Sequence, residues 1–209
     1  MKIVISAGPT REAIDPVRFI TNRSTGRMGY AIAAAAVERG WETVLVSGPV
    51  NLEPPAGAKV VPVESAAEMA QAVKSAAVAA DIVIMAAAVA DYRPKIYSTS
   101  KVKKSDGDLV IELERTEDIL LSLGQMKKPG QILVGFAAET DDLIANAQGK
   151  LERKNLDWIA ANIVGVPGRG FAAETNAITL LGRDGRRIDL TLKSKSDLAK
   201  ELLDCISSQ

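Results

Sequence analysis

The strongest constraint on the fold is a regular alternation of short β-rich runs with alanine-rich helical runs. Strands are predicted over 2–8, 42–48, 58–63, 81–89, 109–114, 131–139 and 157–164, and helices over 25–39, 65–79, 117–124 and 141–154. The runs at 81–89 and 131–139 are almost continuously apolar, as expected of strands that are covered on both faces. The alternation therefore predicts a three-layer, Rossmann-like α/β fold around a mostly parallel sheet.

The rest of the chain predicts two additions to this core. A β-hairpin is expected over 176–192, with Asp184-Gly185 in its turn, followed by a last helix that begins at Ser194 or Ser196. Residues 91–108 are polar and basic and show neither helical nor strand period, which predicts a long loop carrying a lysine-rich flap. Because we find no repeat and no linker, residues 1–209 are interpreted as a single domain.

Composition excludes several kinds of chemistry. The chain has no histidine and one cysteine, Cys205, so a Ser-His-Asp triad, a disulfide framework and a cysteine-rich zinc site are all ruled out within one chain. Lys+Arg and Asp+Glu are both 26, which gives no reason to expect nucleic acid or a membrane as a partner. With no long apolar run, a cytoplasmic location is expected. Catalysis must use Lys, Arg, Asn, carboxylates, hydroxyls, backbone N–H groups or a hard metal ion.

The segment S-T-G-R-M-G at 24–29 predicts an anion site. It differs from the dinucleotide fingerprint G-x-G-x-x-G by having Ser24 at the first glycine position. Gly26 would admit a phosphate to the N-terminus of the following helix, and Gly29 would let that helix pack closely on the first strand. An ordinary capped helix remains the alternative. Two details argue against NAD: the loop before the helix is long, and the second strand ends on Ser47 where an acidic residue is usual.

Other polar residues follow predicted strands or helices, and each has a simpler interpretation. Asn22 could donate to a carboxylate or acyl phosphate, or be a turn residue. Asp91 could hold a hydroxyl or Mg²⁺, or cap a turn. Lys150 and Lys154 share one helix face, which could equally be a solvated surface.

A dehydrogenase is the main alternative function. Residues 97–101 spell Y-x-x-x-K, the pair that short-chain NAD(P)-dependent dehydrogenases use from one helix face. The surrounding stretch contains Pro94 and Gly107 and has no helical apolar period, which disfavours that interpretation.

Taken in order, several segments resemble one family. The chain contains "SAGPTREAIDPVRFITNRSTGRMGYAIAAAA", "VSGP", "AAAVADYRP", "KVKK", "VGFAAET" and "RKNLDWIAAN". It is similar in these to the phosphopantothenoylcysteine synthetase domain of bacterial coenzyme A biosynthesis, from residue 3 to the C-terminus. The resemblance implies a ligase that joins 4′-phosphopantothenate to L-cysteine through an acyl cytidylate. It would consume CTP and release pyrophosphate and CMP.

The resemblance also implies a cofactor and partners. Mg²⁺ would assist the first half-reaction, with metal ligands that the resemblance does not identify, and the enzyme would be a homodimer. Many members carry this domain behind a flavin-dependent decarboxylase, so the chain could be a standalone enzyme or a domain excised from such a fusion. Association with a flavin-dependent decarboxylase is a further expectation. Strict preference for CTP over ATP is implied only by the lysine-containing flap.

Residue roles carry over by position in the quoted segments. Asn22 and Lys101 would be catalytic, with Lys101 on the flap closing over the intermediate. Arg18, Ser24 and Gly26 would bind phosphopantothenate, with Arg18 reaching the site of the partner subunit. The nucleotide would contact Ala86, Ala87, Asp91, Lys101, Asp118, Ile119, Phe136, Lys150 and Lys154. Next to Asp118, Thr116-Glu117 replaces the family's Asn-Pro, which weakens any role for Glu117.

Overall fold

A central eight-stranded sheet organises the computed structural model, which describes residues 1–104, 107–139, 141–163 and 173–207. The strands are β1 (Lys2–Ala7), β2 (Arg11–Ala13), β3 (Phe19–Thr21), β4 (Glu42–Ser47), β5 (Lys59–Pro62), β6 (Ile82–Met85), β7 (Tyr92–Pro94), β8 (Leu113–Arg115), β9 (Ile132–Glu139), β10 (Trp158–Ile163), β11 (Thr175–Gly182) and β12 (Arg187–Ser194). The helices are α1 (Arg27–Glu38), α2 (Ala66–Ala77), α3 (Ile119–Met126), α4 (Leu143–Arg153) and α5 (Lys195–Ser207).

Strand order gives the sheet a single point at which ligands are expected. The order is β12-β11-β10-β9-β6-β1-β4-β5, and the strands from β5 to β10 pair in parallel. The chain builds outward from β1 to β4 and β5, then returns to β6 on the other side of β1. Such a reversal opens a crevice beyond the carboxyl ends of the two central strands. The predicted parallel, Rossmann-like architecture is confirmed.

Helices cover both faces of the sheet and make three layers. Ile3 and Ile5 of β1 face a core that includes residues of α1 and α5, whereas Val4 faces the core shared with α2, α3 and α4. Because Ile3, Val4 and Ile5 are all buried although they face alternate sides, consecutive positions at the centre of the strand are apolar. The layers matter for the site because α1 and α4 approach the same strand ends from opposite faces.

Gly29 confirms the predicted close packing of α1 on β1. A Cβ atom at this position would lie 2.5 Å from Ala7 Cβ and 3.0 Å from Ser6 O. Neither atom can rotate away, since one is a methyl on a buried strand and the other is backbone. The N-terminus of α1 is therefore held directly against the end of β1.

The predicted C-terminal hairpin is also confirmed. Strands β11 and β12 pair antiparallel, with Asp184 and Gly185 in the turn between them. Ser194 begins the last helix, because its Oγ accepts a hydrogen bond of 3.1 Å from Asp197 N. The hairpin extends the parallel sheet beyond β10, where β11 pairs antiparallel with it.

Some predicted boundaries are wrong, for local reasons. The strand predicted over 109–114 is confined to β8, which pairs with β7 inside the stretch predicted as a loop. The strand predicted over 81–89 stops at Met85, because Ala88 N turns to donate to Gly8 O at 2.9 Å. Thr116, which directly precedes the helix predicted over 117–124 and is predicted to cap it, does not cap α3: its Oγ1 donates to Ala90 O at 2.6 Å, and Asp118 is the cap instead. Among the described residues, no helix is both long and apolar enough to cross a membrane.

Candidate active site

A cleft of about 320 Å³ opens at the carboxyl ends of β1, β6 and β9, at the expected reversal point. It is bordered by the N-terminus of α1 and receives one side chain from α4. Its described lining comprises Asn22, Ser24, Gly26, Arg27, Met28, Gly29, Ala86, Ala87, Ala88, Val89, Asp91, Phe136, Ala137, Ala138, Lys150, Asn162, Asn176 and Lys195. Eight of the predicted site residues are thus brought together: Asn22, Ser24, Gly26, Ala86, Ala87, Asp91, Phe136 and Lys150.

The N-terminus of α1 is built to leave its first N–H groups available. Gly26 precedes the helix with a φ of 77° and provides no side-chain cap. A Cβ there would lie 2.9 Å from Val50 Cγ1 and 3.3 Å from Gly8 Cα, so both conformation and packing require glycine. Ser24 Oγ accepts a hydrogen bond of 3.3 Å from Gly26 N. A hydroxyl and uncapped helix N–H groups therefore meet at one edge of the cleft, which is an arrangement suited to an anion.

Asn22 lies over the alanine-rich end of β6. Its Nδ2 donates a hydrogen bond of 2.9 Å to Ala88 O, and Ala88 itself is tied to the segment after β1 by hydrogen bonds with Gly8 and Thr10. The small side chains of residues 86–88 leave room for a ligand beneath this amide. Asn22 is thereby positioned in the cleft, with its amide held by backbone alone.

Lys150 brings a cation to the cleft from the α4 side. Its Nζ lies 2.5 Å from Glu139 Oε1, at the end of β9. Phe136, on the same strand, lines the cleft with Asp91, which is the one carboxylate among the described lining residues. An aromatic ring, a carboxylate and a lysine in one cleft provide stacking and polar contacts of the kind that a nucleoside can use.

Four predicted nucleotide contacts lie outside the lining of the cleft: Lys101 on the flap, Asp118, Ile119 and Lys154. Asp118 caps α3 by accepting from Leu121 N at 3.0 Å, and Lys154 Nζ donates to its Oδ1 at 2.9 Å. Burial raises the pKa of Asp118, but the hydrogen bonds from Lys154 and Leu121 outweigh burial and leave that pKa below its ordinary value. Ile119 is 3% exposed and belongs to the core. The structure pairs Asp118 with Lys154, rather than bringing either to the cleft.

Arg18 and the flap meet at Asp15, a buried carboxylate. Arg18 Nη2 lies 2.5 Å from Asp15 Oδ2 and donates to Val102 O at 2.7 Å, and Val102 N donates to the same Asp15 oxygen at 3.0 Å. The Arg18 guanidinium beside Asp15, aided by these backbone N–H groups, holds the pKa of that carboxyl well below its usual range. Lys101, adjacent to this tether, is exposed and does not line the cleft.

Three polar lining residues were missed by the sequence predictions, Arg27, Asn176 and Lys195, and a fourth, Asn162, was predicted only as a strand-end residue with no assigned role. Asn162 lies near the end of the strand predicted over 157–164, whereas Asn176 and Lys195 belong to a hairpin and a helix that the sequence marks as structural. Burial, and then repulsion from the Arg27 guanidinium, lowers the pKa of the Lys195 ammonium to about 8. The cleft thus receives cations from the α1 and α5 side as well as from α4.

The Y-x-x-x-K stretch lacks the structure that a dehydrogenase requires. Residues 97–101 lie outside any helix, and both Tyr97 and Lys101 are exposed away from the cleft lining. The two side chains therefore do not share a helix face.

Comparison with known proteins gives consistent similarities over the whole chain. A family model described as the DNA/pantothenate metabolism flavoprotein C-terminal domain matches residues 1–209. The coenzyme A biosynthesis bifunctional protein CoaBC of Bacillus subtilis is 55% identical over 207 residues, covering 99% of this chain and 51% of that protein. The CoaBC of Vibrio parahaemolyticus is 50% identical, covering 97% of this chain and 51% of that protein. The chain spans about half the length of the curated relatives it matches.

Solved structures share the fold. A crystal structure of the C-terminal domain of a CoaBC protein superposes with a TM-score of 0.84 at 48% identity, covering 98% of this chain and 93% of that one. A complex of a Cab2 mutant with phosphopantothenate-cysteine superposes with a TM-score of 0.80, covering 98% of this chain and 86% of that one. At 18% identity, the second match shows the fold alone.

Proposed function

The chain belongs to the family of DNA/pantothenate metabolism flavoprotein C-terminal domains, and from this membership we propose that it joins 4′-phosphopantothenate to L-cysteine. The proposed reaction consumes CTP, passes through an acyl cytidylate and releases pyrophosphate and CMP. A homodimer, a cytoplasmic location and association with a flavin-dependent decarboxylase belong to the same proposal.

One observation carries the proposal. Residues that are far apart in sequence, and that the family resemblance nominates independently, line a single cleft at the reversal point of the sheet. They include the uncapped N-terminus of α1 and Ser24, which suit a phosphate. They also include Phe136, Asp91 and Lys150, which suit a nucleoside. Asn22 precedes both groups in sequence and borders the same space.

The residue types fit the proposed chemistry. In the first step a carboxylate oxygen of phosphopantothenate attacks the α-phosphorus of CTP, and pyrophosphate leaves. In the second step the cysteine amine attacks the acyl carbon, loses a proton and displaces CMP. Phosphoryl transfer depends on positioning and charge neutralisation, and needs neither imidazole nor thiolate from the protein. Asn22 would hold the acyl cytidylate through its amide, and Lys101 would neutralise charge on phosphorus when the flap closes.

Mg²⁺ fits this cleft as an ion that arrives with the nucleotide. Within the described ranges, no group of three or more acidic or cysteine side chains could hold a metal by itself. Mg²⁺ commonly takes one or two carboxylates together with substrate phosphates. Asp91 would supply the carboxylate, and the ion would neutralise charge on the nucleotide phosphates.

The test is release of pyrophosphate by the purified chain. We expect release to require both phosphopantothenate and a nucleoside triphosphate, with CTP preferred to ATP, and turnover to require cysteine. CTP binding without pyrophosphate release would indicate a non-catalytic nucleotide-binding module and refute the ligase. Fluorescence changes with NADPH would instead support the dehydrogenase.

Two variants test the assigned roles. Lys101→Gln should lose turnover while keeping the thermal stability of the parent, whereas Lys59→Gln, an exposed lysine outside the cleft lining, should keep both. Asn22→Asp should accumulate acyl cytidylate, detectable by mass spectrometry. Unchanged turnover in Lys101→Gln would reject the flap's role, and absence of the intermediate would count against Asn22.

A further inference from the structure

The cleft contains a polar cluster for which the proposed reaction has so far given no role. This amide–cation cluster consists of Arg27, Asn162, Asn176 and Lys195. We propose that it binds the amino-acid substrate, with Lys195 and Arg27 holding the α-carboxylate and Asn176 Oδ1 accepting a hydrogen bond from the α-amino group. The inference rests on the proposed function and adds a position for the third substrate.

Asn176 provides the observation that points to a ligand with an N–H group. The residue is 5% exposed and lines the cleft, yet its Oδ1 accepts no hydrogen bond within the part of the chain that is described. A buried acceptor without a donor is costly, so such atoms in functional clefts usually meet a bound group. Asn162, 8% exposed on the neighbouring strand, adds a second amide to the same wall.

Lys195 provides the complementary charge. It is 6% exposed, lines the cleft and begins α5, where its backbone N donates to Glu174 O at 3.1 Å. Repulsion from Arg27 contributes to the low pKa of its ammonium, which shows that the two cations lie close enough to interact. A carboxylate between them would relieve that repulsion and raise the pKa of Lys195 toward its ordinary value.

Arg27 can contribute because its own ion pair is weak. Its Nη1 lies 3.3 Å from Glu174 Oε1, and the Glu174 side chain is 88% exposed. Exposed pairs of this kind contribute little to stability, so the guanidinium can turn to a better-shielded anion at small cost.

The hairpin and the start of α5 bring the acceptor and the cation to the same cleft. Asn176 pairs with Lys193 in the hairpin, and Lys195 begins α5 two residues further on, where its backbone N donates to Glu174 O at 3.1 Å. Both side chains line the cleft. One small molecule with adjacent positive and negative groups can therefore touch both.

A zwitterion explains this cluster better than a phosphate does. Phosphate oxygens would satisfy the two cations, but they would repel Asn176 Oδ1, which needs a donor. An α-amino acid offers a carboxylate to the cations and an amino group to the amide oxygen. An amino group held this way lies in the same cleft as Asn22, which is proposed to bind the acyl cytidylate that this amino group attacks.

The experiment separates the two half-reactions in the full chain. Enzyme, CTP and phosphopantothenate are first mixed without cysteine, and the burst of pyrophosphate is measured. L-Cysteine or cysteamine, which lacks the carboxylate, is then added at increasing concentrations. In Lys195→Met we expect an unchanged burst, a half-saturating cysteine concentration raised about 10-fold or more, and unchanged use of cysteamine. Lys195→Arg should restore part of the loss.

Asn176→Ala and a matched control complete the design. Asn176→Ala should weaken the use of cysteine and of cysteamine alike, since both bring an amino group. Lys193→Met removes a nearby lysine that pairs with Glu201 at 2.6 Å outside the cleft lining, and should behave like the parent. Melting temperatures identify any variant that fails to fold.

Three outcomes would overturn the inference. A smaller pyrophosphate burst in Lys195→Met with normal cysteine dependence would assign the cations to a phosphate. Equal losses for cysteine and cysteamine in that variant would exclude the carboxylate contact. If the parent releases no pyrophosphate at all, the proposed function fails, and the site is then tested directly by comparing the thermal shifts that L-cysteine and cysteamine produce. A larger shift with L-cysteine that Lys195→Met abolishes supports the amino-acid site. Equal shifts with the two compounds refute it.

Discussion

Replacing Gly29 with alanine tests whether the contact between α1 and β1 controls both stability and the site. Gly29 and Gly149 are both inside helices, so intrinsic helix propensity favours alanine at each by about 1 kcal/mol. Their surroundings differ. A Cβ at Gly149 meets nothing within 4 Å, whereas a Cβ at Gly29 would lie 2.5 Å from Ala7 Cβ.

The expected magnitudes follow from that contact. Carbon atoms pack at about 3.5–4.0 Å, so the new methyl at position 29 would overlap β1 by roughly 1 Å and would have to push α1 away. Overpacking of this kind costs about 1–3 kcal/mol, and we take the upper end because backbone is among the atoms contacted. Net of propensity, Gly29→Ala should lose about 2 kcal/mol while Gly149→Ala should gain about 1 kcal/mol.

Calorimetry and activity measure the two consequences. For a chain of this size, 1 kcal/mol shifts the melting temperature by about 2–4 °C, so the two variants should melt about 6–12 °C apart. Pyrophosphate release should fall in Gly29→Ala alone, because the N-terminus of α1 lines the cleft. If Gly29→Ala melts as high as Gly149→Ala, the close approach does not limit stability and the reasoning is wrong.

Three further predictions concern single contacts. Because the folded-state pKa of Asp15 is lowered, its stabilising effect is present above about pH 4 and is lost as pH falls through the folded value. Urea unfolding should therefore show that Asp15→Asn is less stable than the parent at pH 6. The difference in unfolding free energy between the two proteins should narrow toward pH 2. Asp118→Ala should cost about 1–2 kcal/mol in the same assay, through loss of the α3 cap, and Asp118→Asn should recover most of it. Burial, followed by the nearby Asp204 and Glu201, raises the pKa of the Cys205 thiol, so iodoacetamide at pH 8 should label native protein several-fold more slowly than urea-unfolded protein; equal rates would contradict this.

The central sheet was predictable because its strands are buried on both faces. An apolar run as short as 131–139 is difficult to interpret as anything other than a buried strand. The alternation of such strands with helices then indicates that the strands pair in parallel. The three-residue strands β2, β3 and β7 were not predicted, and β8 was predicted only as the end of a longer strand. Such short segments have little propensity of their own, and their pairing is decided by where the longer elements bring them.

The cap of α3 shows, for a single residue, that tertiary contacts can override local sequence preferences. Thr116 and Asp118 are both good caps, and the sequence favours the first. Tertiary structure reverses this choice, since the Thr116 hydroxyl is already used by Ala90 O. Local rules offer candidates, and a contact with a residue distant in sequence selects between them.

The candidate site divides in a similar way. Residues that follow the parallel strands, such as Asn22, Ala87 and Asp91, could be predicted because those strand ends must meet. Asn176 and Lys195 could not, because their approach depends on where the hairpin extends the sheet and on how α5 packs beside α1. Nothing in the local sequence reports that packing.

Asp15 couples the position of Arg18 to the position of the lysine flap. Its carboxylate holds the Arg18 guanidinium and the backbone of Val102 together, so the segment before Asn22 and the lysine flap share one anchor. A ligand that draws Arg18 away must also release a contact to Val102. If release of the flap from Asp15 changes the affinity of Arg18 for an anion by some factor, thermodynamic linkage requires that binding of the anion change the equilibrium for release of the flap by the same factor. The lysines of the flap would then respond to occupancy at Arg18 without touching the ligand bound there.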